Sequence, residues 1–339
     1  MQLHFQLLMS LKIQPSELNY LVSAMEAKKV CKAWRFSTPI TDQPQQFPWI
    51  LVHGHGELES KFWWYSITSN KIYTIHAPKS FALLFGPSEG YIIAHHNLEI
   101  DNSSTYQLSL FNPLSNHEIP LPPIDIDDYG LFCYPWNHQT GEYVFCYHHG
   151  KLSFWHLGQN SWCKFNIGSY SISDTMLYYK NMIFILENET GVTKAVDMFT
   201  GTLIYVIPPT KDYSTRDFQY MVEALGDIFI VIQRSSGSIL SESFDVYRLD
   251  ANKSGSPYWV KVTSIGDQAL FIDCRGALIL KANDFASIKS NSIYFFCHNS
   301  IDKCDQVKRM DIETGTVKHL QDFFTREVPV WFVPNIYHL

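Results

Sequence analysis

Ser88 is the first residue whose neighbours fit a catalytic pattern. It lies in Gly86-Pro-Ser-Glu-Gly90, which matches the G-x-S-x-G motif around the nucleophilic serine of α/β-hydrolases. That motif works only where a strand turns sharply into a helix, because the turn exposes the serine oxygen. The residues after Gly90 are mainly β-branched and aromatic, and residues 106–111 alternate in polarity, so the pattern predicts strand, turn and strand. We therefore interpret Ser88 as a turn residue and expect no catalytic serine here.

Histidine pairs form the second group of residues that could carry a chemical function. His53 and His55 flank one glycine, so a strand would place both imidazoles on one face, where a third ligand would complete a metal site. No acidic residue or cysteine lies at a spacing that would supply that ligand. The adjacent pairs His95-His96 and His148-His149 would point to opposite faces of a strand and would not chelate together. We read all of them as histidines near strand ends and predict no metal.

A short acidic segment is the third group. In Ile124-Asp-Ile-Asp-Asp128, an extended chain would place Asp125 and Asp127 on one side, as in a calcium-binding loop. The glycine and the glutamate that an EF-hand loop needs at its sixth and twelfth positions are missing. We interpret the segment as an acidic loop between sheets and expect no cofactor.

The composition narrows the class of protein. The chain has 339 residues, of which 46% are hydrophobic and 17% charged, with 23 Phe, 19 Tyr and 9 Trp. Such a chain can bury a large core. A formal net charge of -7 without clusters of Lys or Arg predicts no nucleic-acid partner. No run approaches 18 apolar residues, and the apolar start lacks a basic region and a cleavage site, so we expect no membrane span and no signal peptide.

Seven cysteines indicate the compartment. They form no C-x-x-C pair, and their odd number leaves at least one thiol unpaired. This usage is typical of a reducing environment, where a buried cysteine packs as a small apolar side chain. We therefore expect a cytoplasmic or nuclear protein.

The elements that must position these residues are short strands. After residue 48 a unit recurs, in which an alternating aromatic strand, a tight turn and a second strand follow one another at intervals of about 40 to 60 residues, close to the blade period of a β-propeller. The six predicted hairpins are Phe62–Ile67 with Lys71–Ile75, Gln107–Phe111 with His117–Leu121, Leu152–His156 with Trp162–Phe165, Ala195–Asp197 with Thr202–Val206, Phe244–Arg248 with Tyr258–Val262, and Val307–Asp311 with Thr316–Leu320. Each would be the outer half of a blade.

Two observations extend this prediction to whole blades. Strand pairs such as Met176–Tyr178 with Met182–Leu186, or Ala269–Asp273 with Ser292–Phe296, would be the inner halves. The first unit has only Trp49–Val52 before its hairpin, and Pro329–Val333 is left over at the end of the chain. We therefore predict an all-β propeller of six four-stranded blades, whose first blade is completed by the C-terminal strand. Five or seven blades remain alternatives, since residues 264–300 are long enough for another strand pair.

The head of the chain has a different texture. Residues 1–38 contain helix-forming runs such as Ser16–Val22, and Pro15 allows a helix to begin nearby. Residues 39–47 are rich in Pro and Gln and show no periodicity. We predict a short helical segment over 1–38, a linker over 39–47 and the propeller over 48–339.

Two parts of the sequence resemble a known family. Lys28-Lys-Val-Cys-Lys-Ala-Trp-Arg-Phe36 is similar to the closing helix of an F-box, although the Leu-Pro-x-x-Leu-Leu opening helix of a complete F-box is missing. The remainder resembles the KIB-type β-propeller domain that follows the F-box in many plant proteins. The segments that carry this resemblance are Gly86–Ile92, Leu110–Pro113 with Ile119–Pro123, Ile265–Phe271, Lys289–Phe295 and Trp331–Pro334.

The resemblance implies a non-catalytic role. Proteins of this kind act as substrate receptors of Skp-cullin-F-box ubiquitin ligases, in which the F-box binds a Skp-type adaptor and the propeller binds the protein to be modified. It implies that Val30, Cys31 and Trp34 contact the adaptor, and it names no target. The alternatives are an interaction propeller that has lost its adaptor, in which these residues pack a helix against the propeller, and a hydrolase built on a propeller.

Overall fold

The alternating hydrophobic pattern is realised as β-strands throughout the described part of the chain. The computed structural model describes residues 49–54, 61–66, 71–76, 83–88, 91–96, 105–112, 117–125, 132–134, 143–148, 151–156, 158–166, 175–236, 239–251, 256–273, 276–285, 288–299, 304–323 and 329–333. Within these residues the strands form six sheets, which follow one another along the chain. We call them blades 1 to 6.

The first three blades take up the chain as far as residue 166, apart from one strand that comes from its end. Blade 1 consists of β1 (Trp49–Gly54), β2 (Lys61–Ser66), β3 (Lys71–His76) and β26 (Val330–Phe332), in the order β26-β1-β2-β3. Blade 2 consists of β4 (Leu83–Ser88), β5 (Tyr91–His96), β6 (Thr105–Asn112) and β7 (His117–Pro120), and β8 (Ile124–Asp125) also pairs with β6. Blade 3 consists of β9 (Phe132–Tyr134), β10 (Tyr143–His148), β11 (Lys151–His156) and β12 (Cys163–Asn166).

The other three blades contain the longer strands. Blade 4 consists of β13 (Thr175–Tyr179), β14 (Met182–Leu186), β15 (Thr193–Asp197) and β16 (Leu203–Ile207). Blade 5 consists of β17 (Phe218–Ala224), β18 (Asp227–Ser236), β19 (Ile239–Asp250) and β20 (Tyr258–Val262). Blade 6 consists of β21 (Gln268–Asp273), β22 (Gly276–Lys281), β23 (Ser292–Asn299), β24 (Cys304–Asp311) and β25 (Val317–Phe323), with a 3₁₀ turn at Ala282–Asp284 between β22 and β23.

The blades are arranged as a ring: among the described residues, inner strands of neighbouring blades contact each other at five of the six junctions. β26 contacts β4, β4 contacts β9, β13 contacts β17, β17 contacts β22, and β21 returns to β26. The core lies between neighbouring blades rather than within one of them. Buried apolar clusters join blades 3 and 4, blades 4 and 5, blades 5 and 6, and blades 6 and 1. At these four junctions neighbouring blades stabilise each other by burying apolar faces of their sheets against one another.

The C-terminal strand closes the ring. Trp331 pairs with Ile50 of β1, and its fully buried ring stacks on Phe296 of blade 6 with centroids 4.6 Å apart. The indole N–H donates to the carbonyl of Ile272 at 2.9 Å, and the backbone N–H donates to the carboxylate of Asp273 at 2.8 Å. One short strand therefore joins the last blade to the first, and the predicted closure by the C-terminal strand is confirmed.

All six predicted hairpins are confirmed, as are the inner strands of blade 4. One tight turn shows how local residues specify a hairpin. Lys180-Asn181, between β13 and β14, adopts positive φ angles of 49° and 63°, as a two-residue type I′ hairpin requires. The conformation of a tight turn is determined by its own residues, which explains why the hairpins could be predicted from the sequence.

The predicted propeller is confirmed, but the predicted number of strands needs correction in two blades. Four of the six sheets in the described residues have four strands, while blades 2 and 6 have five. In blade 2 the extra strand β8 lies beside the same strand as β7, at Thr105 and Tyr106. Pro122 and Pro123 separate the two, since proline has no N–H to donate to the ladder.

In blade 6 the addition changes the topology. β22 forms a hairpin with β21, and β23 then pairs with β21 in parallel from Ala269 opposite Ser292 to Ile272 opposite Phe295. The sequence prediction paired these two segments directly and left β22 out. A parallel pair needs a crossover connection, which β22 and the 3₁₀ turn provide. The long segment 264–300 therefore holds one additional strand in the same blade.

The head of the chain lies outside the described residues. The predicted helical segment over 1–38, the linker over 39–47 and the resulting domain division therefore stay predictions.

Candidate protein-docking surface

Exposed apolar side chains concentrate on blade 4. In the described part of the chain, five of the large hydrophobic residues that face solvent belong to one run, and they are between 42% and 57% exposed. We call this run the blade 4 edge; it consists of Phe199 in the β15–β16 turn and Leu203, Ile204, Tyr205 and Val206 in β16. The other four are Trp63, Phe218, Leu225 and Tyr258, which lie apart from it in sequence.

The position of β16 in its sheet explains this exposure. β16 is the outer strand of blade 4 and, within the described residues, it pairs only with β15. Because neighbouring residues of a strand point to opposite faces, exposure of four consecutive side chains means that both faces are uncovered. Only Ile207, at the end of the strand, is buried. The pairing shifts register between Ala195 and Val196, so the strand also bends there.

The turn that leads into β16 is fixed by local hydrogen bonds. The carboxylate of Asp197 accepts from the backbone N–H of Thr200 at 2.8 Å, from the Thr200 hydroxyl at 2.8 Å and from the N–H of Phe199 at 3.0 Å. The bond from the Thr200 backbone contributes most to lowering the pKa of this carboxyl below its usual value. Gly201 has a φ of 68°, which glycine accepts without strain. Phe199 is therefore presented by a rigid turn.

The same turn is braced from blade 3. A Cβ added at Gly201 would lie 2.9 Å from the ring of Phe165, a distance that real Cβ atoms essentially never show. The ring of Phe165 in turn stacks on Phe154, with centroids 5.6 Å apart. The blade 4 edge is consequently held at a defined position relative to the neighbouring blade.

The outer strands of the other five blades differ from β16 in composition. Each contains at least one charged residue, whereas Leu-Ile-Tyr-Val-Ile of β16 contains none. These residues include Lys71 in β3, Glu118 in β7, Lys164 in β12, Lys261 in β20 and Lys318 in β25. Charge on an edge strand is a common protection against pairing with another chain. The blade 4 edge lacks that protection.

A second exposed area lies at the hairpin turns of blades 4 and 5. The backbone N–H of Met198 donates to the carbonyl of Asn181 at 2.9 Å, and the hydroxyl of Tyr179 donates to the carbonyl of Gly226. Three turns are thereby joined on one rim. Leu225, beside Gly226, is 76% exposed. Apart from Phe199, which lies in the first of these turns and already belongs to the blade 4 edge, Leu225 is the one large exposed apolar residue of these turns in the described part of the chain, so the rim is less apolar than the blade 4 edge.

An ion-pair network fixes the loop that follows β16. Arg234 donates to Asp217 at 2.7 Å, to Asp245 at 2.6 Å and to the carbonyl of Asp212 at 2.7 Å. Burial alone would lower the pKa of Arg234, but the hydrogen bonds to the two carboxylates outweigh it and raise the pKa. Lys261 also binds Asp245, at 2.6 Å. Because these charges satisfy one another, we interpret the network as structural.

The structure answers the question about Ser88. It is the last residue of β4 and pairs with Tyr91, the first residue of β5, so a strand follows it and not a helix. The predicted pattern of strand, turn and strand is confirmed, but Ser88 is the last residue of the first strand and not a turn residue. Cys297 is another possible nucleophile, but burial raises the pKa of its thiol away from the thiolate form that reacts.

The other candidates are spread over the fold. His53 lies in β1 opposite Phe62, His95 and His96 lie in β5, and His148 ends β10, whereas His55 and His149 lie outside the described residues. Asp125 lies in β8 opposite Thr105, and Asp127 is outside the described residues. In the ranges that the structure describes, no three or more His, Cys, Asp or Glu residues are grouped to hold a metal ion.

The residues expected to bind an adaptor lie beyond the described part of the chain. Val30, Cys31 and Trp34 all precede Trp49, the first described residue. Their role therefore stays a prediction.

Comparison with known proteins places the propeller in a family. A family model described as the KIB1-4 β-propeller matches residues 64–322, which is most of the chain. This chain belongs to the KIB1-4 β-propeller family. The resemblance predicted from segments such as Gly86–Ile92 is thus confirmed.

Relatives of similar length carry F-box names. A protein of Arabidopsis thaliana named as a probable F-box protein is 22% identical, over 94% of this chain and 92% of the relative. A second Arabidopsis thaliana protein with "F-box protein" in its name is 24% identical, over 91% of this chain and 87% of the relative. Both alignments extend well beyond the propeller match and cover nearly the whole of each chain.

A solved structure agrees with the fold. The crystal structure of TolB from Acinetobacter baumannii is similar with a TM-score of 0.50 at 11% identity, over 85% of this chain and 67% of TolB. At this identity the similarity concerns the fold alone. No helix in the described ranges has the length and apolar character needed to cross a lipid bilayer.

The sequence analysis predicted strand β16 but did not identify it as an exposed, uncharged edge. Thr202–Val206 was predicted as the outer strand of a hairpin, and the structure confirms its place. The signal that distinguishes it, an outer strand without a charged residue, is visible in the sequence once the six outer strands are set side by side.

Proposed function

We propose that this chain is the substrate receptor of a Skp-cullin-F-box ubiquitin ligase. In this role the segment before Trp49 binds a Skp-type adaptor, which connects the chain to a cullin, and the propeller binds the protein to be ubiquitinated. The observation that carries the proposal is the match to F-box proteins over 94% of this chain and 92% of the first relative. A family match to the propeller alone would not reach the head of the chain.

The receptor acts through proximity. A subunit that binds both a target and a ligase converts an encounter between two proteins into a reaction within one assembly, with an effective concentration in the millimolar range for a short linkage. It needs binding surfaces and no catalytic residue of its own. The exposed apolar run at the blade 4 edge supports such a surface on the propeller. The proposed place of action is the cytoplasm or the nucleus, where such ligases work.

Three residues are proposed to contact the adaptor. Val30, Cys31 and Trp34 lie in the string Lys28–Phe36 that resembles the closing helix of an F-box. A tryptophan in a desolvated contact is commonly the residue that contributes most to affinity.

Co-purification of the full chain with a Skp-type adaptor tests the proposal. We expect the wild-type chain to capture the adaptor and Trp34→Ala to reduce capture at least tenfold, since truncation of an interface anchor costs more than about 2 kcal/mol. Trp63→Ala is the matched control, because Trp63 is an exposed tryptophan of the propeller, and it should capture the adaptor like the wild type.

A second function is favoured by one observation. The first 38 residues contain no Leu-Pro-x-x-Leu-Leu string, which would suit an interaction propeller without a ligase. If the wild-type chain captures no adaptor, or if Trp34→Ala captures as much as the wild type, the ligase role fails and this alternative takes its place.

A further inference from the structure

The unpaired edge of β16 has the properties of a peptide-binding site. We propose that the blade 4 edge binds an extended, uncharged segment of a protein partner, which adds to blade 4 as a fifth antiparallel or parallel strand. This inference rests on the proposed protein-binding function and specifies how the propeller would hold its target.

The backbone of β16 determines the shape of the occupant. One edge of β16 is paired with β15 from Thr193 opposite Ile207 to Val196 opposite Leu203. In the described residues no strand lies on its other edge. Backbone N–H and C=O groups alternate along such an edge at the spacing of a strand. Only another extended chain can match that spacing residue by residue, so the occupant is a strand and not a helix or a folded surface.

The side chains of β16 determine the chemistry of the occupant. Leu203, Ile204, Tyr205 and Val206 present apolar groups on both faces of the strand. Cross-strand neighbours of apolar and aromatic residues are favourable when they are themselves β-branched or aromatic, by roughly 0.2–1 kcal/mol per pair. A charged residue opposite them would lose hydration without gaining a partner. The segment is therefore expected to be rich in Val, Ile, Thr, Tyr or Phe.

The absence of a charged residue from β16, in contrast to the other outer strands, supports the inference that a partner covers this edge. Every other blade places a charge on its outer strand, for example Lys164 in β12 and Lys261 in β20. An unprotected apolar edge is a hazard for aggregation unless something covers it. Its rigid turn at Asp197 and Gly201 also holds Phe199 at one end of the strand, where it extends the apolar contact beyond the backbone ladder.

The size of the patch favours a peptide over a second copy of this chain. Five side chains at about half exposure amount to a few hundred square ångströms, near the largest patch of an ordinary monomer. Each partner of a standard stable interface buries about 800 Å². A dimer through β16 alone would fall short of this, whereas a short peptide gains main-chain hydrogen bonds in addition to the apolar contact.

The place of the edge in the ring is compatible with the receptor role. The segment proposed to bind the adaptor joins the propeller at Trp49 in blade 1, and blade 4 is three blades away in either direction. The blade 4 edge is therefore on the far side of the ring from the point where that segment is attached.

A peptide selection on the full chain tests the proposal. The probe is a phage-displayed library of random linear twelve-residue peptides. We expect enriched sequences with an uncharged run of β-branched and aromatic residues. A synthetic copy of the best peptide should bind the wild type, and a copy with N-methyl groups at every second residue of that run, on the edge facing β16, should bind at least tenfold more weakly because its N–H donors are removed.

Variants locate the site. Tyr205→Lys and Val206→Lys, which lie at consecutive ladder positions opposite Ala195 and Lys194 and so point to opposite faces of β16, should each weaken peptide binding at least tenfold. Leu225→Lys is the matched control, because it places the same charge at an exposed apolar position on the rim, and it should change affinity less than twofold. If a lysine variant fails to fold by circular dichroism, Tyr205→Thr removes the aromatic contact while keeping a good strand former.

The remaining outcomes are decisive. A selection without enriched peptides, equal binding by the N-methylated copy, or full binding by Tyr205→Lys overturns the proposal. A wild-type dimer in light scattering that Tyr205→Lys converts to a monomer also overturns it, since the occupant is then a second copy. Capture of a Skp-type adaptor by the same variants separates the two proposals: loss of peptide binding with intact adaptor capture concerns the edge, and loss of adaptor capture alone concerns the ligase role.

Discussion

The outer strands of blades 4 and 5 are neighbours with the same topology and opposite surface chemistry. β20 of blade 5 includes Lys261, which forms an ion pair with Asp245 at 2.6 Å. β16 of blade 4 has no charged residue and exposes apolar side chains on both faces. Both strands end a sheet, so both present an unpaired backbone edge in the described residues. The difference shows that the charge that protects an outer strand depends on the sequence of each blade and not on the propeller fold.

The two blades also differ in what holds their outer halves. In blade 5, Arg234 connects Asp245 of β19 to Asp217 at the start of the blade. In blade 4, a turn held by Asp197 rests on Phe165 of blade 3. Blade 4 also contains an ion pair, between Lys194 of β15 and Glu187, but the turn that carries its apolar edge is held by packing and local hydrogen bonds, whereas the outer half of blade 5 is held by a charge network.

Removal of Arg234 should show the largest effect. Arg234→Ala deprives the buried carboxylate of Asp217 of its countercharge and removes three hydrogen bonds. Breaking one member of a buried network is strongly destabilising, so we expect the free energy of unfolding to fall by about 3 kcal/mol. Urea denaturation at pH 7 measures this.

Arg248 provides the control for this substitution. It lies in β19 of the same blade, about half exposed, with Asp227 3.8 Å away. An exposed ion pair contributes little, so Arg248→Ala should change the unfolding free energy by less than about 0.5 kcal/mol. If the two substitutions cost the same, blade 5 is not fixed by the charge network and its contrast with blade 4 disappears.

Two glycines test the packing of the blade 4 turn. Gly201 and Gly315 occupy equivalent Asp-x-x-Thr-Gly turns with the same φ of 68°. Alanine at Gly315 meets no atom within 4 Å and should cost only the left-handed conformation, about 1 kcal/mol. Alanine at Gly201 also meets the ring of Phe165 at 2.9 Å, so we expect a total of about 2 to 3 kcal/mol. Equal costs in thermal unfolding would mean that Phe165 does not brace the turn.

Local sequence signals sufficed for the outer halves of the blades. The Asp197 and Asp311 turns could be predicted because an aspartate that binds the backbone three residues on, followed by glycine, specifies a tight hairpin without help from the rest of the protein. Closure by Val330–Phe332 could be predicted by counting, since one blade lacked a strand and one strand lacked a blade.

Non-local choices could not be predicted in the same way. Ala277–Leu280 of β22 is a continuous apolar segment, and nothing within it shows that it pairs with β21 or that the next strand, β23, pairs with β21 in parallel. The exposure of Leu203–Val206 could not be predicted either, because a short apolar run predicts a strand but not whether another element covers it. Val30, Cys31 and Trp34 lie outside the described residues, so their predicted role still depends on the resemblance alone.

The smallest effect that separates the two blades is a dependence on pH. Burial tends to raise the pKa of Asp245, but the hydrogen bonds and charges of Lys261 and Arg234 outweigh it and hold the pKa below its usual value. The folded state therefore binds a proton at Asp245 less readily than the unfolded state, whose aspartates titrate near 3.9. The resulting stabilisation is present above about pH 4 and is lost as the pH falls through the lowered folded value.

Asp245→Asn removes this contribution. We expect the variant to be less stable than the wild type by about 1 kcal/mol at pH 7, because the amide carries no charge and its single oxygen can replace only one of the two carboxylate oxygens that accept from Arg234 and Lys261. The difference should persist at pH 5 and shrink below pH 4, as measured by urea denaturation at each pH. Asp284→Asn, an exposed position in the 3₁₀ turn of blade 6, is the control and should follow the wild type throughout. A constant difference from pH 7 to pH 3 would show that Asp245 contributes through shape and hydrogen bonding and not through charge, and the proposed contrast between blade 5 and the blade 4 turn would then disappear.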